Sequence, residues 1–196
     1  MTAPVLVLGI GNPLVGDEGV GVRVLEHLLS NWDFGNGVEL VDAGTMGMSM
    51  LGLLADRDEV IVADAVDGTG TEPGTVTVFS PDELASSQVL HSLHDIKLTD
   101  VLQAAALLGQ TPRVRVVGVQ VGEMRQGVIG LTPPVEAAVS VAAAEVLRLL
   151  HDIGVSPREA VRGDDPTRVL RAIHTKEPMT GDRPQGAGEP PESGPG

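Results

Sequence analysis

Carboxylates and imidazoles recur along this chain at positions where an α/β sheet would gather them at one edge. Asp17 and Glu18 sit in the loop that begins Gly9-Ile10-Gly11-Asn12-Pro13. Asp42 closes the apolar run that starts at Val38. Asp64 closes Val60-Ile61-Val62-Ala63, with Asp67 shortly after it. His91 and His94 precede a helical stretch that starts near Leu98. Two carboxylates and one imidazole suit a divalent first-row ion such as Mn, Fe, Co, Ni or Zn. A carboxylate could also serve as a general base toward water. Each residue has an ordinary structural role open to it as well. Glu18 could be a helix-start acid, Asp64 a turn cap and His94 a solvated loop histidine. His27 and His151 lie in helical stretches and His174 in an unpatterned end, and these read as structural or exposed.

The elements that must position these groups can be read from periodicity. Val5–Ile10 is a short, continuous apolar run of the kind buried on both faces of a parallel sheet. Residues 38–42, 60–64 and 114–119 read as further strands, and 75–79 alternates with period two like an edge strand. Helical spacing marks 19–32, 46–55, 98–108 and a last helix from Pro134 to about Asp152. Strands alternating with helices predict a single α/β domain, a three-layer sandwich with a mostly parallel, twisted sheet between helices. In such sheets ligands bind beyond the carboxyl ends of the strands. The first three strands each deliver a carboxylate there, which is more informative than an acidic count. The domain is expected over residues 1–155, with 156–196 a Pro/Gly-rich, disordered tail.

Competing chemistries are weakly supported. A dinucleotide fingerprint beginning at Gly9 and Gly11 would need a third glycine where Leu14 stands, and there is no P-loop Gly-Lys-Ser/Thr triplet. The Asp17-Glu18 pair would also repel a pyrophosphate. No nucleophile elbow is present, Gly47-Met48-Ser49-Met50-Leu51 being the closest serine context, and no H-E-x-x-H helix occurs. Cysteine is absent, which removes thiolate ligands, Cys nucleophiles and disulfides together.

Of 196 residues 42% are hydrophobic, enough for a globular core. No apolar run is long enough to span a bilayer, and the first residues lack the pattern of a signal peptide, so a cytoplasmic location is expected. Residues 1–155 hold 20 acidic and 7 basic residues, a balance of −13, so nearly all of the net charge of −14 belongs to the body. That acidity is a poor match for nucleic acid, and solubility is its plainest meaning.

Taken together, G-N-x-L-x-x-D-E-x-x-G, then D-x-G-T-x-G, then a strand ending A-D-A make a specific combination. With "PGTVTVF", "LHDIKLTDVLQAAALLG", "VGVQ" and "IGLTPPVEAAV" in order, the chain from about residue 5 to 150 resembles the nickel–iron hydrogenase maturation endopeptidases. The resemblance implies an endopeptidase that removes a C-terminal extension from the hydrogenase large-subunit precursor after nickel insertion. It implies that nickel is presented by the precursor rather than held permanently. The family's nickel-binding Glu, Asp and His fall on Glu18, Asp64 and His94, and His94 fits the family's H-x-x-x-L-x-D spacing better than His91. Asp42 matches a family Asp implicated in activity. Asp42 and Asp17 are the candidates for acid–base work, although Asp17 could serve only the helix start. A monomer that binds neither nucleic acid nor membrane is expected. The alternative is a non-proteolytic, nickel-dependent chaperone or scaffold for hydrogenase assembly on the same fold.

Overall fold

The computed structural model describes residues 3–86, 90–91, 98–122 and 124–160. Along the chain run β1 (Val5–Ile10), a 3-10 turn (Gly16–Gly19), α1 (Val20–Asn31), β2 (Trp32–Asp33) and β3 (Val38–Gly44). A second 3-10 turn (Gly47–Met50), α2 (Leu51–Leu54), β4 (Glu59–Asp67), β5 (Val76–Phe79), α3 (Pro81–Ser86) and β6 (Leu90–His91) follow. The chain continues through α4 (Leu98–Leu107), β7 (Arg113–Gln120), α5 (Pro133–Asp152) and β8 (Arg158–Glu159). The main sheet has the order β3-β1-β4-β7-β5. β3, β1, β4 and β7 are parallel, and β5 runs antiparallel to β7 at one edge. The expected mostly parallel α/β sheet is therefore present.

Alternation along the buried strands divides the core into two layers. Val5, Val7, Ile61, Ala63, Val117 and Val119 face α1 and α5. Leu6, Leu8, Val60, Val62, Val114 and Val116 face α4 and the segment carrying Met50 and Leu54. α1 leaves β1 on one face, and the next connection, through α2, returns on the other. The end of β1 is thus a topological switch point, the place where open α/β sheets form a crevice.

Several local expectations are corrected. The helix expected over 46–55 is a 3-10 turn and one short α-helical turn. Gly47 has φ +52°, which cannot propagate a right-handed helix, and Gly52 is a poor helix former. Trp32 is extended rather than helical, because Trp32 and Asp33 pair with Glu159 and Arg158. That pairing involves Arg158 and Glu159, both exposed. Asp64 does not end its strand either. β4 continues to Asp67 because β7 pairs with it as far as Gln120, while β1 stops opposite Ala63.

Candidate functional site

The loop after β1 is shaped by close backbone contacts. A Cβ on Gly11 would lie 1.9 Å from the Glu18 carbonyl oxygen, and one on Gly21 would lie 2.2 Å from that of Ile10 and 2.3 Å from that of Ala63. The glycines therefore let the 3-10 turn and the start of α1 press against the ends of β1 and β4. A phosphate cradle would instead leave amides open to a ligand. These glycines thus serve a tight turn and close packing.

The turn buries both of its acids. Asp17 is 0% exposed and Glu18 2% exposed. Asp64, also 2% exposed, lies just beyond the point where β1 leaves β4. Burial holds the Asp64 carboxyl well above the usual aspartate range. Its hydrogen bond from the Ala65 N–H (2.8 Å) opposes this rise, and the charge of Glu18 adds to it. Two carboxylates sharing a dry site cannot both ionise cheaply, so such a pair takes up a proton or a cation. Two hard oxygen donors with no thiolate suit a divalent ion.

Asp42 is placed differently. It is level with Gly9, which is level with Ala63, and residues level with one another in parallel strands share a face. Leu40 packs on the α1/α5 side and Val41 on the α4 side, so Asp42 leaves on the α1/α5 side. Asp64, next to Ala63, leaves on the α4 side. Burial raises the Asp42 carboxyl above its ordinary range, the hydrogen bond from Gly44 N (2.8 Å) lowers it, and the charge of Glu26 raises it again. The Asp42 turn is fastened to the first loop, where Gly11 N donates to Gly44 O at 3.1 Å.

Asp17 is embedded in the connection between β7 and α5. Its Oδ1 accepts the Thr132 N–H at 2.6 Å, and its Oδ2 accepts the Thr132 hydroxyl at 2.9 Å and the Gly122 N–H at 3.1 Å. Sequence reasoning placed Asp17 beside Glu18 but gave no sign of Thr132 or Gly122, which lie more than a hundred residues away. His94 lies outside the described residues. His91 belongs to β6, which pairs antiparallel with the far end of β4, Val66 opposite His91. Among the described residues no three His, Cys, Asp or Glu side chains form a group able to hold a metal. Nor, among them, is any helix long and apolar enough to cross a membrane.

The profile of the hydrogenase maturation protease family matches residues 22–149. The hydrogenase 2 maturation protease of Escherichia coli K12 is 40% identical over 163 residues, covering 80% of this chain and 98% of its own. This chain belongs to the hydrogenase maturation protease family. Solved structures agree. The hydrogenase maturating endopeptidase HybD of E. coli superposes with a TM-score of 0.72 at 37% identity, over 84% of this chain and all of its own. The nickel–iron hydrogenase maturation protease HycI of Thermococcus kodakarensis superposes with a TM-score of 0.62 at 25% identity, over 76% and 93%. Membership joins the Glu18–Asp64 pair to a fold whose relatives are endopeptidases.

Proposed function

We propose that this protein cleaves a C-terminal extension from a nickel–iron hydrogenase large-subunit precursor, and that it recognises the precursor by its nickel. The observation that carries the reading is the buried Glu18–Asp64 pair at the switch point. Its charge is poorly tolerated until a proton or cation arrives, and nickel seated in a precursor would be that cation. Glu18 and Asp64 supply oxygen ligands, and His94 supplies the imidazole. The family spacing supports His94 over His91, since it is His94 that stands four residues before Leu98 and six before Asp100. A precursor lacking nickel offers nothing to this site, which makes cleavage a checkpoint on metal insertion.

Asp42 acts as the general base toward water. Its raised pKa brings it closer to the range useful for proton transfer at neutral pH than an ordinary aspartate. Its backbone stands across the end of β1 from that of Asp64, two strand spacings or about 10 Å away. A peptide crossing the end of β1 could therefore be held on one side and meet water on the other. Water takes the role of nucleophile, the carbonyl carbon gains the C–O bond, and the amide nitrogen leaves with a proton.

The test is processing of nickel-loaded and nickel-free precursor by the wild type, Glu18→Gln, Asp64→Asn and His94→Ala, followed by mass spectrometry. Loss of the extension only from nickel-loaded precursor, and its slowing in all three variants, is the expected result. Equal processing of nickel-free precursor would overturn nickel recognition. An unchanged precursor mass with stable binding would make the protein a scaffold.

A further inference from the structure

We propose that Asp17 is a positioning residue. By clasping both ends of the β7–α5 connection, it fixes the 3-10 turn so that Glu18 is aimed at the metal-binding position. The inference rests on the role given to Glu18 above.

The clasp is built from both directions. From the loop side, Gly122 and Thr132 flank the connection, and each donates to the same carboxylate. A Cβ on Gly122 would crowd Pro73, 3.1 Å away, and would lie at ordinary contact distance, 3.8 Å, from Asp17 Oδ2. From the helix side, Thr132 is the N-cap of α5, the longest helix of the described chain. An N-cap threonine ordinarily accepts a hydrogen bond from an amide of the first turn. Here there is no side-chain cap bond, and prolines occupy the first two helical positions, removing two of the amides that would need one. The Thr132 hydroxyl is turned instead to Asp17, which also takes the Thr132 N–H. Asp17 thus serves as an external cap, with its charge at the positive end of a 20-residue helix.

Further contacts bind the same two segments. Gly16 N donates to Val128 O at 2.8 Å, and Gly127 N donates to Leu14 O at 2.9 Å. Val15 forms a parallel bridge with Val128. On its other side the turn is pressed against Gly11, whose α-hydrogen side faces the Glu18 carbonyl. The Glu18 backbone is therefore held between Gly11 and the Asp17 clasp, which fixes where its buried side chain starts. Outer groups that hydrogen-bond metal ligands commonly change metal affinity or activity by 10- to 100-fold when lost, and a group that fixes a ligand's backbone acts in the same sense.

A merely structural role would lower stability and reduce activity in proportion, whatever residue stood at position 18. A positioning role predicts non-additivity. Single-turnover cleavage of nickel-loaded precursor is measured for Asp17→Asn, Glu18→Gln, the double variant, Thr132→Val and Thr132→Ser, each verified as folded by circular dichroism. Asp17→Asn and Thr132→Val are expected to slow cleavage by about tenfold or more. Thr132→Ser, which keeps the hydroxyl, is expected to stay within about twofold of wild type, and the double variant within about twofold of Glu18→Gln alone. If Asp17→Asn does not fold, Thr132→Val and Thr132→Ser carry the test. Wild-type rates in folded Thr132→Val, or losses that multiply in the double variant, would overturn the inference while leaving the proposed function intact. Full activity of Glu18→Gln would overturn both.

Discussion

Asp42 and Asp64 leave opposite faces of the sheet, on either side of the strand that ends between them. Gly9 is level with both Asp42 and Ala63, so Asp64 is one residue out of step with Asp42. That single residue sends Asp64 toward α4 and Glu18's charge, and Asp42 toward α1 and Glu26's. The carboxylates at the strand ends are thus two groups, and their variants should separate two functions. Asp64→Asn is expected to weaken binding of free Ni²⁺, read by calorimetric titration, by about tenfold or more. Asp42→Asn should leave that affinity within about twofold. It should slow cleavage of nickel-loaded precursor by about a hundredfold, the usual worth of a general base. Equal loss of Ni²⁺ affinity in both variants would join the two aspartates into one site.

The buried acid also predicts a pH dependence of stability. Asp64 titrates in the folded chain well above its ordinary value of 3.8, chiefly because it is buried. The folded state therefore holds that proton more tightly than the unfolded state. The associated stability is complete at pH values below the ordinary aspartate range and is lost as pH rises through the raised folded value. In chelator-treated protein, Asp64→Asn removes an ionisation that opposes folding. Its melting temperature should exceed that of wild type by about 3 °C or more at pH 7.5, the gap closing toward pH 4. A variant less stable than wild type at pH 7.5 would contradict this origin of the shift. A residue whose loss stabilises the fold while slowing its reaction is the signature of a site retained for function.

The amino-terminal edge of the sheet should behave in the opposite manner. The Arg57 side chain is buried there. It donates from Nε to Leu53 O at 3.0 Å, from Nη1 to Ala3 O at 2.6 Å and from Nη2 to Glu39 at 2.5 Å. These bonds tie α2 to Ala3, two residues before β1, and to β3. Arg57→Ala leaves two carbonyls to find other partners, and should cost about 2–4 kcal/mol in chemical denaturation. Below its melting transition, the variant should cleave precursor at the wild-type rate, because the site lies at the far end of the strands. A tenfold slower rate at full folding would place Arg57 in the functional machinery.

What could be read from the sequence follows from how local each signal is. β1 is a continuous apolar run, β4 and β7 carry apolar stretches over 60–63 and 116–119, and α1 and α5 carry long helical periodicity, so their existence is visible within a short window. The carboxylates were visible because each follows such a run. The division of those carboxylates between two faces was not visible, since it depends on a register between strands about fifty residues apart. The Asp17 clasp was hidden for the same reason. Helix 46–55 failed because the apolar spacing continues through Gly47, while the backbone at that glycine does not. By contrast, α3 had a readable signal that the periodicity alone passes over. Ser80-Pro81-Asp82-Glu83 is a capping box, and the structure forms it reciprocally, Ser80 N to Glu83 Oε2 at 2.7 Å and Glu83 N to Ser80 Oγ at 3.3 Å.

The last prediction concerns the glycines of the first loop. If they serve close packing, the damage done by a methyl group should follow the space around each one rather than helix propensity. Gly21 and Gly52 both lie in helices, where alanine is intrinsically the better residue by about 1 kcal/mol. Gly21 faces the carbonyls of Ile10 and Ala63, with its prospective Cβ at 2.2 and 2.3 Å from them, whereas Gly52 has nothing within 4 Å. Both obstacles at Gly21 are backbone atoms of central strands and cannot rotate away. Gly21→Ala must push α1 off the sheet, and with it the turn that carries Asp17 and Glu18. Loss of at least about 3 kcal/mol, or failure to fold, is expected for Gly21→Ala, against a gain of up to about 1 kcal/mol for Gly52→Ala. Thermal and urea denaturation of the two variants decide the matter. A Gly21→Ala protein as stable as wild type would mean that α1 sits farther from β1 and β4 than described, and the placement of Glu18 beside Asp64 would fall with it.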